Sequence, residues 1–207
     1  PEEMGKVAVD VSPAQPDRIY ANIEAEEGGV FRSDDAGKTW TQTSKNRVTV
    51  ARAWYYIEIF ADPQNPEIVY VLNAPMLKSI DGGKTFKSIS NPHGDQHDMW
   101  INPNNPKNII LGNDGGACVT FNGGKTWSSQ KNQATAQFYR IIADNRFPYH
   151  LYGGQQDNSA IAIASRTSGS GIGWKDWYSV AGGESAFLAF CVGRMVCIFV
   201  HGEGISC

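Results

Sequence analysis

The octet SDDAGKTW starts at Ser33, and near copies start at Ser79 (SIDGGKTF) and Thr120 (TFNGGKTW). A second motif keeps step with it: a proline, two further residues, then an aliphatic or aromatic pair. It reads PDRIY at Pro16, PEIVY at Pro66, PKNII at Pro106 and PYHLY at Pro148. Two motifs recurring in phase, about every 40–45 residues, require a chain of like units.

Within one unit the periodicity is that of strands. In the third, DMWINP is short and apolar-rich, PNNP turns, NIILGND is a buried run, ACVTF alternates, NGGK turns and TWSSQ alternates again. Short runs of β-branched and aromatic residues between Gly, Pro and Asn turns predict strands. No stretch carries the apolar stripe of an amphipathic helix. Four strands per unit of this length predict an all-β fold of β-propeller blades, each of four antiparallel strands. The predicted blades cover about 6–44, 54–90, 97–131 and 139–182, with a fifth inner strand starting near Ala186. About four blades plus a fragment predict a partial propeller over 1–190, part of a longer one. Residues 191–207 break the pattern and hold Cys191, Cys197 and Cys207; they read as a truncated or frame-shifted end, with a native closing strand as the alternative.

Composition narrows the partners. The net charge of −3 gives no basic footprint for nucleic acid. No apolar run is long enough to span a bilayer. The cysteines lack CxxC spacing, so a zinc knuckle is unsupported, and Cys118 reads as a buried thiol. No cofactor motif stands in the sequence.

The octet is similar to the Asp-box, or bacterial neuraminidase repeat, of sialidases, xyloglucan-degrading enzymes and the sortilin ectodomain. Its positions here are Ser33, Asp35, Gly37, Thr39 and Trp40, then Ser79, Asp81, Gly83, Thr85 and Phe86. The third copy has Thr120, Asn122, Gly124, Thr126 and Trp127. Physics explains the pattern without a ligand. Glycine reaches positive φ, the Asp or Asn accepts turn amides, and the aromatic returns to the sheet interface. Asn122 cannot be a carboxylate, which argues against acid catalysis by the boxes. In the families named, the box lies opposite the active site.

With the strands of each blade lettered A to D from inner to outer and the box between C and D, antiparallel strands alternate ends, so the loops opposite the boxes follow strands B and D. They carry Glu24 to Glu27, Arg47 to Trp54, Asn73 to Pro75, His93 to His97, Asn113 to Gly116, Thr135 to Phe138, Gln155 to Asn158 and Gly182 to Ser185. Function concentrates on loops held by a scaffold. His93, Asp95 and His97 alternate as metal ligands would, but hydrogen-bonded loop residues explain them as well, and no further ligand cluster supports a metal. Gln155, Gln156 and Asp157 suit sugar hydroxyls, peptide backbone or a plain polar turn. Glu184 adds a carboxylate. Arg52, Trp54 and Tyr55 offer a cation and rings that stack on a sugar or pack in the core.

RAWYY, GDQHDMWINPNNPKNIILGNDGG and TAQFYRIIADNRFPYHLYGGQQDN together resemble the sortilin-N-like, Asp-box "glycosyl hydrolase" proteins of bacteria. The likeness implies a secreted or periplasmic chain and a carbohydrate or peptide ligand. NDGGACVTF is similar to the segment carrying an acidic catalytic residue in xyloglucan-degrading propellers, which points to Asp114. Glycoside hydrolysis needs two carboxylates, and the partner would be Asp95, Asp157, Glu184 or a residue of missing blades. A sialidase is disfavoured, since the selected loops offer only Arg47 and Arg52. Three readings stand: a hydrolase-like propeller binding carbohydrate opposite the boxes, a sortilin-like peptide- or protein-binding propeller without catalysis, and a structural fragment inactive alone.

Overall fold

A computed structural model describes residues 3–131, 136–181, 187–190, 196–200 and 203–206. The chain divides into two compact units, Pro1–Gln133 and Ala134–Cys207. Both are all-β, and their sheets are β-propeller blades, antiparallel meanders in chain order.

In the first unit β1 (Val7–Val11), β2 (Ile19–Ile23), β3 (Gly29–Ser33) and β4 (Thr41–Ser44) form the first sheet. The second holds β5 (Glu58–Ala61), β6 (Val69–Leu72), β7 (Met76–Ser79) and β8 (Lys87–Ile89). The third has three strands, β9 (Gln96–Ile101), β10 (Ile109–Asn113) and β11 (Gly116–Thr120). The expected fourth strand over TWSSQ is absent. Ser128 N donates to Val119 O at 2.9 Å, but Val119 N returns its bond to the Ser128 hydroxyl at 3.0 Å. A side chain has taken the place of the backbone carbonyl, so the ladder stops after one rung.

The second strand of the second sheet is buried on both faces. All four residues of β6 are buried, as parallel packing of like sheets demands of a central strand. One core joins the first sheet to the second through Tyr20, Val30, Ile59, Val69 and Val71. The other joins the second to the third through Tyr70, Leu72, Met76, Ile109 and Leu111. Cys118 lies buried in that second core, where burial raises its thiol pKa.

The boxes fasten turns as the pattern predicts. Ser33 Oγ accepts Gly37 N at 2.8 Å, and Asp35 accepts the Thr39 amide at 2.8 Å and hydroxyl at 2.6 Å. Ser79 and Asp81 repeat these bonds, and Asn122 still accepts Thr126 N at 2.9 Å. The left-handed glycines Gly37, Gly83 and Gly124 fit one conformation at one box position. Each box also ties to its own A–B turn: Ala36 N to Asp17 O, Gly82 N to Glu67 O and Gly123 N to Lys107 O, at 2.8–2.9 Å. The box aromatics differ. Trp127 donates its indole N–H to Ser90 O of the preceding sheet, whereas Trp40 closes on Gly37 O of its own turn and stays 43% exposed.

The second unit holds a four-stranded sheet of β12 (Phe138–Ala143), β13 (His150–Gln155), β14 (Ala160–Ala164) and β15 (Trp177–Ala181). A three-stranded sheet follows, β16 (Phe187–Phe190), β17 (Val196–Val200) and β18 (Glu203–Ser206). Asp144 braces the β12–β13 turn, accepting His150 N at 2.8 Å and the Tyr152 hydroxyl at 2.9 Å. Among the described residues no helix is long and apolar enough to cross a membrane.

Candidate functional site

The loop between β4 and β5 is held from below by buried amides. It starts with a short 3-10 turn, Arg47–Val50, capped by the Asn46 side chain on Val48 N at 3.1 Å. Thr49 O, buried, accepts the side-chain amides of Asn22 at 2.7 Å and Asn73 at 3.3 Å. Asn73 Oδ1 in turn accepts Arg52 N at 3.1 Å and Ala74 N at 2.9 Å. Two sheets thereby fix one loop, and a buried amide left unpaired would be costly.

That loop presents a cation among rings. The Arg52 guanidinium carbon lies 5.6 Å from the Trp54 and Tyr55 ring centroids and 5.7 Å from that of Tyr56, within cation–π range. Trp54 is 71% exposed and Tyr55 53%, while Tyr56 is buried. Arg52 also forms an ion pair with Asp95, from the β8–β9 loop. The Tyr56 hydroxyl donates to the same carboxylate oxygen at 2.8 Å. Asp95 sits at φ +53°, and its own amide bonds Ala74 O at 3.2 Å. Short polar residues visit this left-handed region most readily.

The other half of the cluster comes from the third sheet. His97 Nε2 lies 2.6 Å from Asp114 Oδ1. The His97 ring stacks at a tilt on Tyr56, centroids 4.4 Å apart, and meets Tyr55 edge-on at 6.1 Å. Arg52, Asp95, Tyr56, His97 and Asp114 thus form one continuous chain of contacts. Beneath them Gln96, fully buried, donates to Asn91 Oδ1 at 3.1 Å and accepts Asn113 Nδ2 at 3.3 Å. Asn113 Oδ1 accepts Gly115 N at 3.0 Å and Gln130 Nε2 at 2.7 Å, which closes the turn bearing Asp114.

The charges follow from these contacts. Burial works to raise the Asp95 carboxyl, but the Tyr56 hydroxyl and the Arg52 guanidinium outweigh it and hold it below the ordinary carboxylate range. Arg52 is raised by its bond to Asp95. Burial, then the bond to Asp95, pushes the Tyr56 hydroxyl far above the usual tyrosine value. The Asp95 end of the cluster is therefore a fixed ion pair, while Asp114 and His97, each more than a third exposed, face solvent.

Of the sequence candidates, Arg52, Asp95, His97 and Asp114 come together in the first unit. His93 does not join: its Nδ1 lies 3.0 Å from Gly94 O. Asp95 and His97 are engaged with other partners, and no group of three or more ligating side chains gathers among the described residues. In the second unit, Gln155 braces the β13–β14 hairpin, its Nε2 donating to Ser159 O at 2.7 Å. Gln156 and Asp157 are exposed at the tip, with Asp157 at φ +51°. Glu184 lies outside the described residues. The sequence places Asn73, Gln96 and Asn113 on the selected loops but gives them no role, and Tyr56 falls outside those loops. One signal was available for part of this set: Asn73, Asn113 and Gln155 hold the same place after their Pro-x-x motifs.

No curated protein matches the chain. Among solved structures it is similar to YCF48 from Cyanidioschyzon merolae, at 18% identity and TM-score 0.43 over 96% of this chain and 65% of that one. It is also similar to the GH74 xyloglucanase from Xanthomonas campestris, at 15% identity and TM-score 0.43 over 84% of this chain and 30% of that one. A third is the extracellular domain of the putative hybrid two-component system BT3049 from B. thetaiotaomicron, at 14% identity and TM-score 0.40 over 98% of this chain and 26% of that one. The chain thus spans no more than 65% of the length of these neighbours. Residues 28–170 match the sequence profile of the Sortilin-Vps10 family, described as sortilin, neurotensin receptor 3. That match spans well over half of the sequence and covers both the boxes and the Arg52–Asp114 cluster, so the chain belongs to the Sortilin-Vps10 family of Asp-box propellers.

Proposed function

We propose that this chain is a ligand-binding propeller that takes carbohydrate at the end opposite its Asp-boxes. The observation that carries the reading is the Arg52 cation, packed among three rings and paired with Asp95, which holds the exposed Trp54 and Tyr55 in place. Rigid exposed aromatics beside fixed polar groups suit a sugar ring and its hydroxyls. His97 and Asp114 supply a donor and an acceptor next to them. In the second unit, Gln156 and Asp157, exposed on their own hairpin, are separate candidates for polar contacts to a ligand.

Binding without chemistry is favoured over hydrolysis. A glycosidase needs one carboxyl with a raised pKa to act as acid. Asp95 is moved the other way by Tyr56 and Arg52. Asp114, the candidate catalytic residue, is engaged with His97. Membership of a family described by a neurotensin receptor supports a second reading, in which the same loops hold a peptide. Either ligand suits a secreted or periplasmic chain.

A glycan array, followed by calorimetry on hits, tests the proposal. Glycan binding weakened about tenfold by Trp54→Ala supports it. A chain that ignores every glycan but captures peptides through Arg52 or Asp114 overturns the carbohydrate reading in favour of the second.

A further inference from the structure

The repeat makes one interface a control for the next. Counting from the boxes and the Pro-x-x motifs, Arg32, Asp34 and Glu67 of the first interface correspond to Lys78, Ile80 and Lys107 of the second. Tyr20 corresponds to Tyr70 by the same count. All lie at the box end of the first unit.

In the first interface the polar set is closed. Arg32 contacts Asp34 at 3.0 Å and Glu67 at 3.9 Å, and Arg18 pairs with both carboxylates. The Tyr20 hydroxyl donates to Pro66 O of the next sheet at 2.6 Å. The space is full: a Cβ added at Gly82 would lie 2.3 Å from Arg32 Nη1 and 2.6 Å from Glu67 Oε2.

In the second interface both carboxylates are gone, and a second cation stands where Glu67 would be. Among the described residues neither Lys78 nor Lys107 has a carboxylate within ion-pair distance. Lys78 is half-buried, with its ammonium 5.0 Å from the Tyr70 ring centroid. It lies directly opposite Lys87 in the β7–β8 register, an arrangement that places like charges side by side. The Tyr70 hydroxyl has no hydrogen bond among the described residues to match that of Tyr20. Instead a cavity of about 380 Å³ opens, lined by Lys78, Tyr70, Lys107, Asn104 and Gln64. A Cβ at Gly123, which occupies the place of Gly82, would meet nothing within 4 Å. Asp62 also lines the cavity, but its Oδ1 accepts the amides of Gln64 and Asn65 at 2.9 and 3.0 Å.

A partly buried ammonium with no carboxylate in ion-pair contact, and only Asp62 acting on it from a distance, is unfavourable, and this one stands in a fold that supplies ion-pair partners one repeat earlier. We propose that the cavity between the second and third sheets binds a small hydroxycarboxylate, its carboxylate lying between Lys78 and Lys107 and serving Lys78 as Asp34 and Glu67 serve Arg32 in the first interface. The volume suits a ligand of sugar-acid size. The Asn104 amide and the Gln64 carbonyl, whose amide nitrogen already bonds Pro103 O at 2.9 Å, are neutral partners for its hydroxyls. Burial lowers the Lys78 pKa and Asp62 partly restores it, so an anion seated beside the ammonium would hold its proton more firmly.

The test is an NMR titration of the 207-residue chain with D-glucuronate, set against D-glucose, acetate and inorganic phosphate. Glucuronate should shift resonances around Lys78, Lys107 and Gly123 and bind more tightly than any of the three. Lys78→Met and Lys107→Met should each weaken it about tenfold, as expected for losing one charged contact. Lys107→Glu should abolish binding and raise Tm, because it restores the ion pair of the first interface. Lys38→Met, an exposed cation of the first box, should leave glucuronate binding unchanged, and glucuronate shifts confined to the surroundings of Trp54 would belong to the proposed glycan site and overturn this one. Equal response to glucose around Lys78, Lys107 and Gly123, tighter binding of phosphate there, or unchanged affinity in both methionine variants overturns the proposal.

Discussion

Asn73 Oδ1 accepts the backbone amide of Arg52 at 3.1 Å, tying the end of β6 to the loop that bears the aromatic platform. Asn73 is fully buried, and its amide also reaches Thr49 O. Asn73→Ala leaves the Arg52 and Ala74 amides without their acceptor. We expect a loss of about 3 kcal/mol, since each buried unsatisfied group costs about 1–3 kcal/mol. For a chain of this size that is a fall in Tm of roughly 10 °C. Amide hydrogen exchange supplies the local readout: Arg52 N–H should exchange far faster in the variant. Unchanged protection would mean that the loop is held by other contacts.

Trp54 contributes little to folding, because most of its surface faces solvent. Trp54→Ala should shift Tm by less than about 2 °C, as surface substitutions do. The same change should lower glycan affinity about tenfold, the loss expected from one stacked ring. Intrinsic fluorescence and calorimetry on the same samples separate the two effects. Equal affinity in wild type and variant would remove Trp54 from the site.

Much of this was legible in the sequence, for identifiable reasons. The boxes are local: every bond of Asp35 lies within a few residues, so its role can be read from an octet. Antiparallel strands must alternate ends, and that rule alone placed Arg52, Asp95, His97 and Asp114 on one side. Their pairing was not legible. Arg52 and Asp95 are 43 residues apart, and His97 and Asp114 are 17 apart, on loops whose register depends on two packed sheets. Tyr56 read as one of two adjacent tyrosines; only packing sends its hydroxyl inward to Asp95 while Tyr55 stays exposed. The missing strand in the third sheet was equally hidden, since Ser128 suits a strand until its hydroxyl displaces a carbonyl. The cations of the second interface were visible as residues, but their lack of ion-pair partners emerges only when one interface is laid on the other.

Tyr56 gives a test of the ion-pair end of the cluster. Its hydroxyl is raised by burial and then by Asp95, and burial raises Tyr20 and Tyr70 as well. Tyr152 is pushed up to about 12, again by burial first. A spectrophotometric titration should therefore show two tyrosine populations, with these four ionising only as the fold is lost. Tyr56→Phe removes one donor from Asp95 and should cost about 1 kcal/mol, the net value of a typical hydrogen bond. Carbon-detected NMR should then show the Asp95 carboxyl titrating at higher pH than in wild type, because one group favouring its charged form is gone. An unmoved Asp95 titration would assign its low pKa to Arg52 alone.

The boxes make a prediction about acid. Asp35 is held at about 2 by the Thr39 hydroxyl first, then by the Thr39 amide and Ser33. Burial opposes the same shift at Asp81, but the Thr85 hydroxyl and amide bring it to about 2 as well. Both pKa values are depressed in the folded chain, relative to about 3.9 when unfolded. The unfolded state therefore binds more protons below pH 4, and the stability these groups contribute is complete above that value and falls as pH drops toward 2. Asn122 already fills the same role without a charge, accepting Thr126 N and donating to the Thr126 hydroxyl at 2.7 Å. The double variant Asp35→Asn, Asp81→Asn should keep its Tm within a few degrees at pH 7 and lose less of it at pH 2.5 than wild type does. The slope should flatten without vanishing, because Asp95 and Asp144 are also depressed in the folded state. Thermal unfolding at pH 7, 4 and 2.5 decides it: parallel losses in both proteins would show that the box carboxylates do not carry the acid sensitivity.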